Sequence, residues 1–257
     1  MRLRRRTVLG GLAFAAPLLL QACRGGGGGN EAGGDLVLST FPLYIDADAP
    51  GAPGSVARFR RETGIRLRYL EDVNDVRQFF ARIRPDLASG RWPGQDLVVL
   101  TSWMAHRLIG LGWLEPLPLD QVPNRRHLIA DLRKPSWDPE GRFTLPWQSG
   151  IAGIAYNIKA TGRELRSIDD LFDRSLRGRV SALTEMRDTM GLLMLADGRD
   201  VAQPTWEAAQ PSFDRLEKAR RDGQIPRFTG NDYQNDLLAG NLAACIGWSG
   251  DVAQLAL

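Results

Sequence analysis

Between Asp35 and Gly112, short β-like runs alternate with amphipathic helical runs three times, and this alternation limits the fold more than any other feature. "DLVLST" (35–40) reads as a strand. "SVARFRRETG" (55–64) reads as a helix with Ser55 at its N-cap and Gly64 as its stop. "IRLRYLE" (65–71) alternates apolar and polar residues, the period of two that a half-buried strand shows. "NDVRQFFARI" (74–83) starts with a cap residue and places Val76, Phe79, Phe80 and Ile83 on one helical face. "DLVVLT" (96–101) is a continuous apolar run, suited to the middle of a parallel sheet, and "SWMAHRLIGLG" (102–112) follows as a helix capped by Ser102. Parallel strands need crossover helices, so the order predicts an α/β fold with a doubly wound sheet.

The second part of the chain is less regular. "RFTLPW" (142–147) and "IAGIAYN" (151–157) read as strands, "SIDDLFD" (167–173) as a short helix capped by Ser167, and "GRVSALT" (178–184) as a strand. The run after Met186, "RDTMGLLMLADG", reads as a helix, and 205–223 as another with a break near Pro211. "LAACIGW" (242–248) is a buried strand, and "GDVAQLAL" begins a helix. The stretch "PLPLDQVPNRRH" (116–127) is the expected crossing between two parts, placing lobe I at 35–120 and lobe II at 121–257.

In open α/β sheets, ligands gather beyond the carboxyl ends of the strands. Phe41 and Tyr44 follow the first strand, Thr101 and Trp103 the third. Glu185 and Asp188 follow "SALT", and Trp248 follows "ACIG" and precedes "SGD". Aromatic faces attract ammonium groups by roughly 0.5–2 kcal/mol each, and carboxylates hold amines by charge-assisted hydrogen bonds. That combination suits a small organic cation. A Trp at a strand end also packs, and Glu185 or Asp188 also serves as a helix-cap acid, so recurrence at successive strand ends carries this reading.

The first 34 residues are of another kind. Arg2, Arg4, Arg5 and Arg6 precede the apolar "VLGGLAFAAPLLL" (8–20), which has the length of a secretion signal and falls short of the roughly 20 residues of a membrane span. "RRTVL" (5–9) resembles a twin-arginine export signal. "LQAC" resembles the lipobox of bacterial lipoproteins, with Gln21 departing from its small-residue preference. The expectation is a signal peptide over 1–22, lipid attachment at Cys23, and a flexible Gly-rich tether over 23–34.

Composition excludes several classes. At 257 residues and 43% hydrophobic, the chain can bury a sizeable core. The net charge of +3 falls to −1 when the four N-terminal arginines are set aside, and no basic block remains, which argues against a nucleic-acid partner. Cys23 and Cys245 are too few for a disulfide framework, and His106 and His127 form no paired motif, so neither a metal nor a cofactor is expected.

The stretches "FRRETGIRLRYLED" (59–72), "DLVVLTSWMAHRLIGLGWLEPL" (96–117), "LIADLRKPSWDPEGRFTLPWQSGIAGIAYN" (128–157), "SIDDLFDRSLRGRVSALTEMRD" (167–188) and "LLAGNLAACIGWSGD" (237–251) together resemble the spermidine/putrescine-binding proteins of ABC transporters. The resemblance implies the two-lobed type II periplasmic-binding fold with mixed sheets, and a polyamine clamped between hinged lobes. It implies no catalysis, export to the periplasm or to the outer face of the cell membrane, a permease partner, and a monomer. It places the family's ligand contacts on Phe41 with Tyr44 nearby, Thr101, Trp103, Glu185, Asp188 and Trp248. Pro42-Leu43 stands where the family often carries Thr-Glu. Family members run on well past the position of Trp248 through a further Trp-x-Asp site element, so the resemblance also implies an N-terminal portion of a longer protein, with lobe II incomplete. Two alternatives stand beside it. One is the same fold binding iron, thiamine or another small cation, although the four tyrosines are nowhere adjacent. The other is a secreted hydrolase, although "GWSGD" (247–251) lacks the spacing of a G-x-S-x-G elbow.

Overall fold

The computed structural model describes residues 35–256. The expected signal peptide, the tether and Cys23 lie outside them. Strand β1 (Asp35–Ser39), helix α1 (Ser55–Thr63), β2 (Arg66–Leu70), α2 (Val76–Ala88), β3 (Leu97–Val98) and α3 (Ser102–Gly110) follow in turn. They build a parallel sheet of order β2-β1-β3, with Val37 opposite Arg68 and Leu38 opposite Leu97. Short 3-10 turns and helix α4 (Ala130–Arg133) lead to the second sheet.

That sheet comprises β4 (Ala152–Tyr156), β5 (Val180–Leu183), β6 (Arg227–Thr229) and β7 (Ala244–Trp248), in the order β4-β7-β5-β6. Strand β4 runs antiparallel to β7, whereas β5 lies parallel to both β6 and β7. Between and after these strands run α5 (Ile158–Thr161), α6 (Met186–Ala196), α7 (Trp206–Arg221), α8 (Tyr233–Leu238) and α9 (Ser249–Leu255).

Each sheet carries its own core. Phe41, Val76, Phe79, Phe80, Ile83, Met104 and Leu108 form the first, so the apolar stripe of α2 packs as its spacing predicts. Leu171, Leu183, Leu193, Tyr233 and Ile246 lie within the second, each at most 1–2% exposed. Cys245 sits in this second core, where burial pushes its thiol up to about 12 and leaves it a small apolar group.

Several local expectations need correction. Residues 142–147 form no strand, because the backbone N–H groups of Arg142, Phe143 and Thr144 all donate to the buried Asp138 carboxylate, at 2.8–3.1 Å. Pro146 has no N–H to offer a ladder. The third strand shortens to Leu97–Val98, with Asp96 and Val99 adding one backbone bond each to β1. Helix α2 runs on through Pro85, and α7 passes Pro211 without a break. Each proline removes one bond, to the carbonyl four residues back. Those carbonyls belong to Ala81 and Glu207, exposed residues that water can serve. The caps also move by one residue: Gly54 and Thr101 occupy the N-cap positions, while Gly64 closes α1 in the left-handed conformation (φ 72°) that only glycine adopts without strain.

Candidate functional site

The loops that leave the carboxyl ends of the parallel strands in both sheets face one another. From the first sheet come Phe41 and Tyr44, then Asn74 and Asp75, then Thr101 and Trp103. From the second come Thr184 to Asp188, then Gly230 to Asp232, then Trp248 to Asp251. Phe41, Asp75, Thr101, Thr184, Glu185 and Trp248 line a cavity of about 10 Å³ between them, room for about one water molecule.

Two indole–carboxylate pairs dominate the cleft. Trp103 Nε1 donates to Glu185 Oε2 at 2.8 Å, across the two halves. Trp248 Nε1 donates to Asp188 Oδ2 at 2.7 Å within the second half. Glu185 is also the N-cap of α6, accepting from the Arg187 N–H at 3.3 Å, and Asp188 lies in the first turn. The helix-cap role and the cleft role therefore fall on the same residues. Burial pushes the Glu185 carboxyl up from its ordinary value, against the Trp103 hydrogen bond that lowers it.

Phe41 is buried and its ring lies 5.2 Å from that of Tyr44. Burial raises the Tyr44 phenol; a hydrogen bond with Gln148 opposes this, and the charge of Asp251 adds to it. The Thr101 hydroxyl is buried with no hydrogen-bond partner among the described residues, leaving one polar atom at the cavity wall unsatisfied. All the site residues expected at strand ends thus meet in one cleft, and Cys23 alone falls outside the described residues.

Sequence reasoning missed Asp251, Tyr233 and the loop at 230–232. Asp251 is 8% exposed and accepts from the fully buried Tyr233 hydroxyl at 2.8 Å. The same hydroxyl accepts from the Trp248 backbone N–H at 2.9 Å, so one phenol orients both an acid and an aromatic of the site. Burial chiefly raises the Asp251 carboxyl, while Tyr233 and Gln234 lower it by hydrogen bonding. Its place three residues after Trp248, in the turn opening α9, was the available signal. Among the described residues, Glu185, Asp188 and Asp251 form no salt bridge.

A polar seam closes one flank. Asn74 Nδ2 donates to Asp232 Oδ1 at 3.0 Å, and the Asp232 N–H donates to Asn74 Oδ1 at 2.9 Å. The Asn74 carbonyl accepts from both the backbone and the side chain of Asn231 at 3.0 Å. Asp75, which caps α2 through Gln78, also accepts from the Thr184 hydroxyl. A Cβ at Gly230 would sit 2.3 Å from the Asn74 carbonyl oxygen, so only glycine permits this approach.

Two sheets whose strand ends share a cleft of aromatics and unpaired acids define a protein built to hold a solute between two halves. The sequence model of bacterial extracellular solute-binding proteins matches residues 54–256, and the chain belongs to that family. It is 30% identical over 219 residues to the putrescine-binding periplasmic protein PotF of Escherichia coli, an alignment covering 79% of this chain and 56% of that protein. It is 28% identical over 212 residues to a putrescine/agmatine-binding protein of Pseudomonas aeruginosa, covering 77% of this chain and 56% of the other. The chain therefore spans a little over half the length of these curated relatives. Among solved structures, a putative spermidine/putrescine ABC transporter from Listeria monocytogenes superposes with a TM-score of 0.69 at 21% identity, covering 86% of this chain and 64% of that one. The TpPotD lipoprotein of Treponema pallidum superposes with a TM-score of 0.67 at 20% identity, covering 86% and 66%. The fold is that of the two-lobed periplasmic binding proteins.

Proposed function

We propose that this protein captures a small aliphatic amine, of the putrescine or spermidine class, outside the cytoplasm and delivers it to an ABC-transporter permease. The observation that carries the reading is the set of cleft carboxylates, Glu185, Asp188 and Asp251, which form no salt bridge among the described residues and are walled by Trp103, Trp248, Phe41 and Tyr44. A carboxylate has about four acceptor sites, and these acids spend only one or two on the protein. Ammonium groups have donors to fill the remainder, and the rings suit the methylenes between. The names of the curated relatives favour the same ligand class.

The cavity is too small for such a ligand, so uptake begins with the halves apart. Ligand then favours the closed arrangement by bridging the acids of the second half to the aromatics of the first. In this reading residues 35–120 form lobe I and 121–257 lobe II. The leader at 1–22 directs export, with "RRTVL" as a twin-arginine signal, and acylated Cys23 with the tether through residue 34 holds the protein at the membrane. It works as a monomer, by binding alone and without catalysis.

Calorimetric titration with putrescine and spermidine, combined with thermal melting, tests the assignment. Glu185→Gln with Asp188→Asn is expected to lower amine affinity at least tenfold while shifting the melting temperature little. Equal ligand-induced thermal shifts in variant and parent would overturn it. For the anchor, Cys23→Ser is expected to move the protein into the aqueous phase on detergent partitioning; unchanged partitioning would refute acylation there.

A further inference from the structure

Arg77 lines the cavity, and a second cation, at the mouth of the cleft, has no part in the reading above. Arg187 lies in the first turn of α6, between Glu185 and Asp188, and its guanidinium carbon sits 5.3 Å from the centre of the Trp103 ring. That ring is the one whose N–H holds Glu185. Among the described residues Arg187 forms no salt bridge, and it is exposed to solvent. The position is an unfavourable one for a cation, because the N-terminal end of a helix carries a partial positive charge. The protein thus keeps its own tethered cation on one face of an aromatic ring that walls the cleft.

We infer that Arg187 sets the charge of the ligand that the cleft admits. This inference rests on the amine-binding reading and narrows its substrate class to amines of low charge, diamines before triamines. The reason is the scaling of two effects. By resting on Trp103, Arg187 helps tie the two halves together, and this favours every ligand alike. Its repulsion of the ligand grows with each added ammonium group, and at the separations of one small cleft an unscreened pair of like charges is a strong term. Exposure and salt weaken the repulsion without abolishing it. The ratio of spermidine to putrescine affinity therefore isolates the charge effect, because any change in closure or folding cancels between the two ligands.

Putrescine and spermidine are titrated calorimetrically into the parent protein and into Arg187→Gln, Arg187→Met and Arg187→Lys. Arg58→Gln, an exposed site on α1 outside the cavity lining, controls for net charge. The spermidine-to-putrescine affinity ratio is expected to rise about three- to tenfold in both neutral variants at low salt, and to move less than about twofold in Arg187→Lys and Arg58→Gln. The gain is expected to shrink in high salt. An unchanged or lowered ratio in the neutral variants would overturn the assignment of Arg187, with amine binding itself intact. Absence of binding of either amine to any of the proteins would overturn the amine reading and this inference with it.

Discussion

Two sets of contacts line the cleft between the halves, and they are built from different chemistry. The seam of Asn74 and Asp75 with Thr184 and Gly230–Asp232 is made of amides, carbonyls, a hydroxyl and two carboxylates already supplied with donors, at van der Waals closeness. The wall of Trp103–Glu185 and Trp248–Asp188 is made of acids with spare acceptor capacity, and a nearby cavity the size of a single water molecule. A seam with every partner in place closes without help. A wall with unmatched charge closes best around something that brings charge to it. The difference separates the residues that make closure feasible from those that make it selective.

The largest expected effect breaks the seam. Gly230→Ala drives a methyl into the Asn74 carbonyl, and the clash lies between the halves, so parting them relieves it. Overpacking of this kind costs about 1–3 kcal/mol, a loss of about five- to 150-fold in affinity for any ligand. The melting temperature should hold, and small-angle scattering should show a more open particle. Equal affinity in variant and parent would show that the seam takes no part in closure.

The next effect strikes the support of the wall. Tyr233→Phe leaves the Trp248 N–H and Asp251 without their shared hydroxyl inside the core. A buried donor without a partner costs about 1–3 kcal/mol, so urea unfolding should register that loss together with weaker ligand binding.

A smaller effect comes from pH. Burial raises the Asp251 carboxyl above its unfolded value, so the folded state binds the extra proton. Its contribution to stability is present in acid and is lost as pH rises through the raised pKa. Asp251→Asn should therefore stabilise the protein at pH 7, lose that advantage in acid and bind amines poorly. A variant no more stable at pH 7 than the parent would exclude burial as the dominant influence.

The smallest effect lies outside the cleft and has the opposite sign. Asp170 is held down at about 2 by the backbone N–H groups of Arg166 and Ser167 and by the Arg163 guanidinium. Its contribution is present above the ordinary carboxylate range and is lost as pH falls towards 2. Asp170→Asn should flatten that acid limb without altering ligand affinity.

Much of the first sheet was legible because its signals are local. The apolar stripe of α2, the alternation of β2 and the turn glycine at 64 are properties of neighbouring residues. The expected strand at 142–147 failed because a buried carboxylate, Asp138, takes the N–H groups that a strand would spend on a ladder. The expected break at Pro211 failed, and α2 ran past the expected residue 83 through Pro85, because only the direction a helix faces decides whether the lost bond matters. The cleft residues were legible by their place at strand ends, where an aromatic or an acid has no local reason to recur. Tyr233 and the 230–232 loop were not, since a buried tyrosine on a short helix reads as core.

By itself the sequence determined the alternation of elements, the parallel first sheet, the strand ends at which ligand chemistry gathers, and the separate character of the first 34 residues. Each follows from periodicity or composition within a short window. Only the tertiary structure decided which acid meets which indole, that Tyr233 orients Asp251, that Gly230 admits the Asn74 carbonyl, and that Arg187 rests on Trp103. These contacts join residues tens to more than a hundred positions apart in the chain, and no local pattern encodes a pairing that exists only once two sheets face one another.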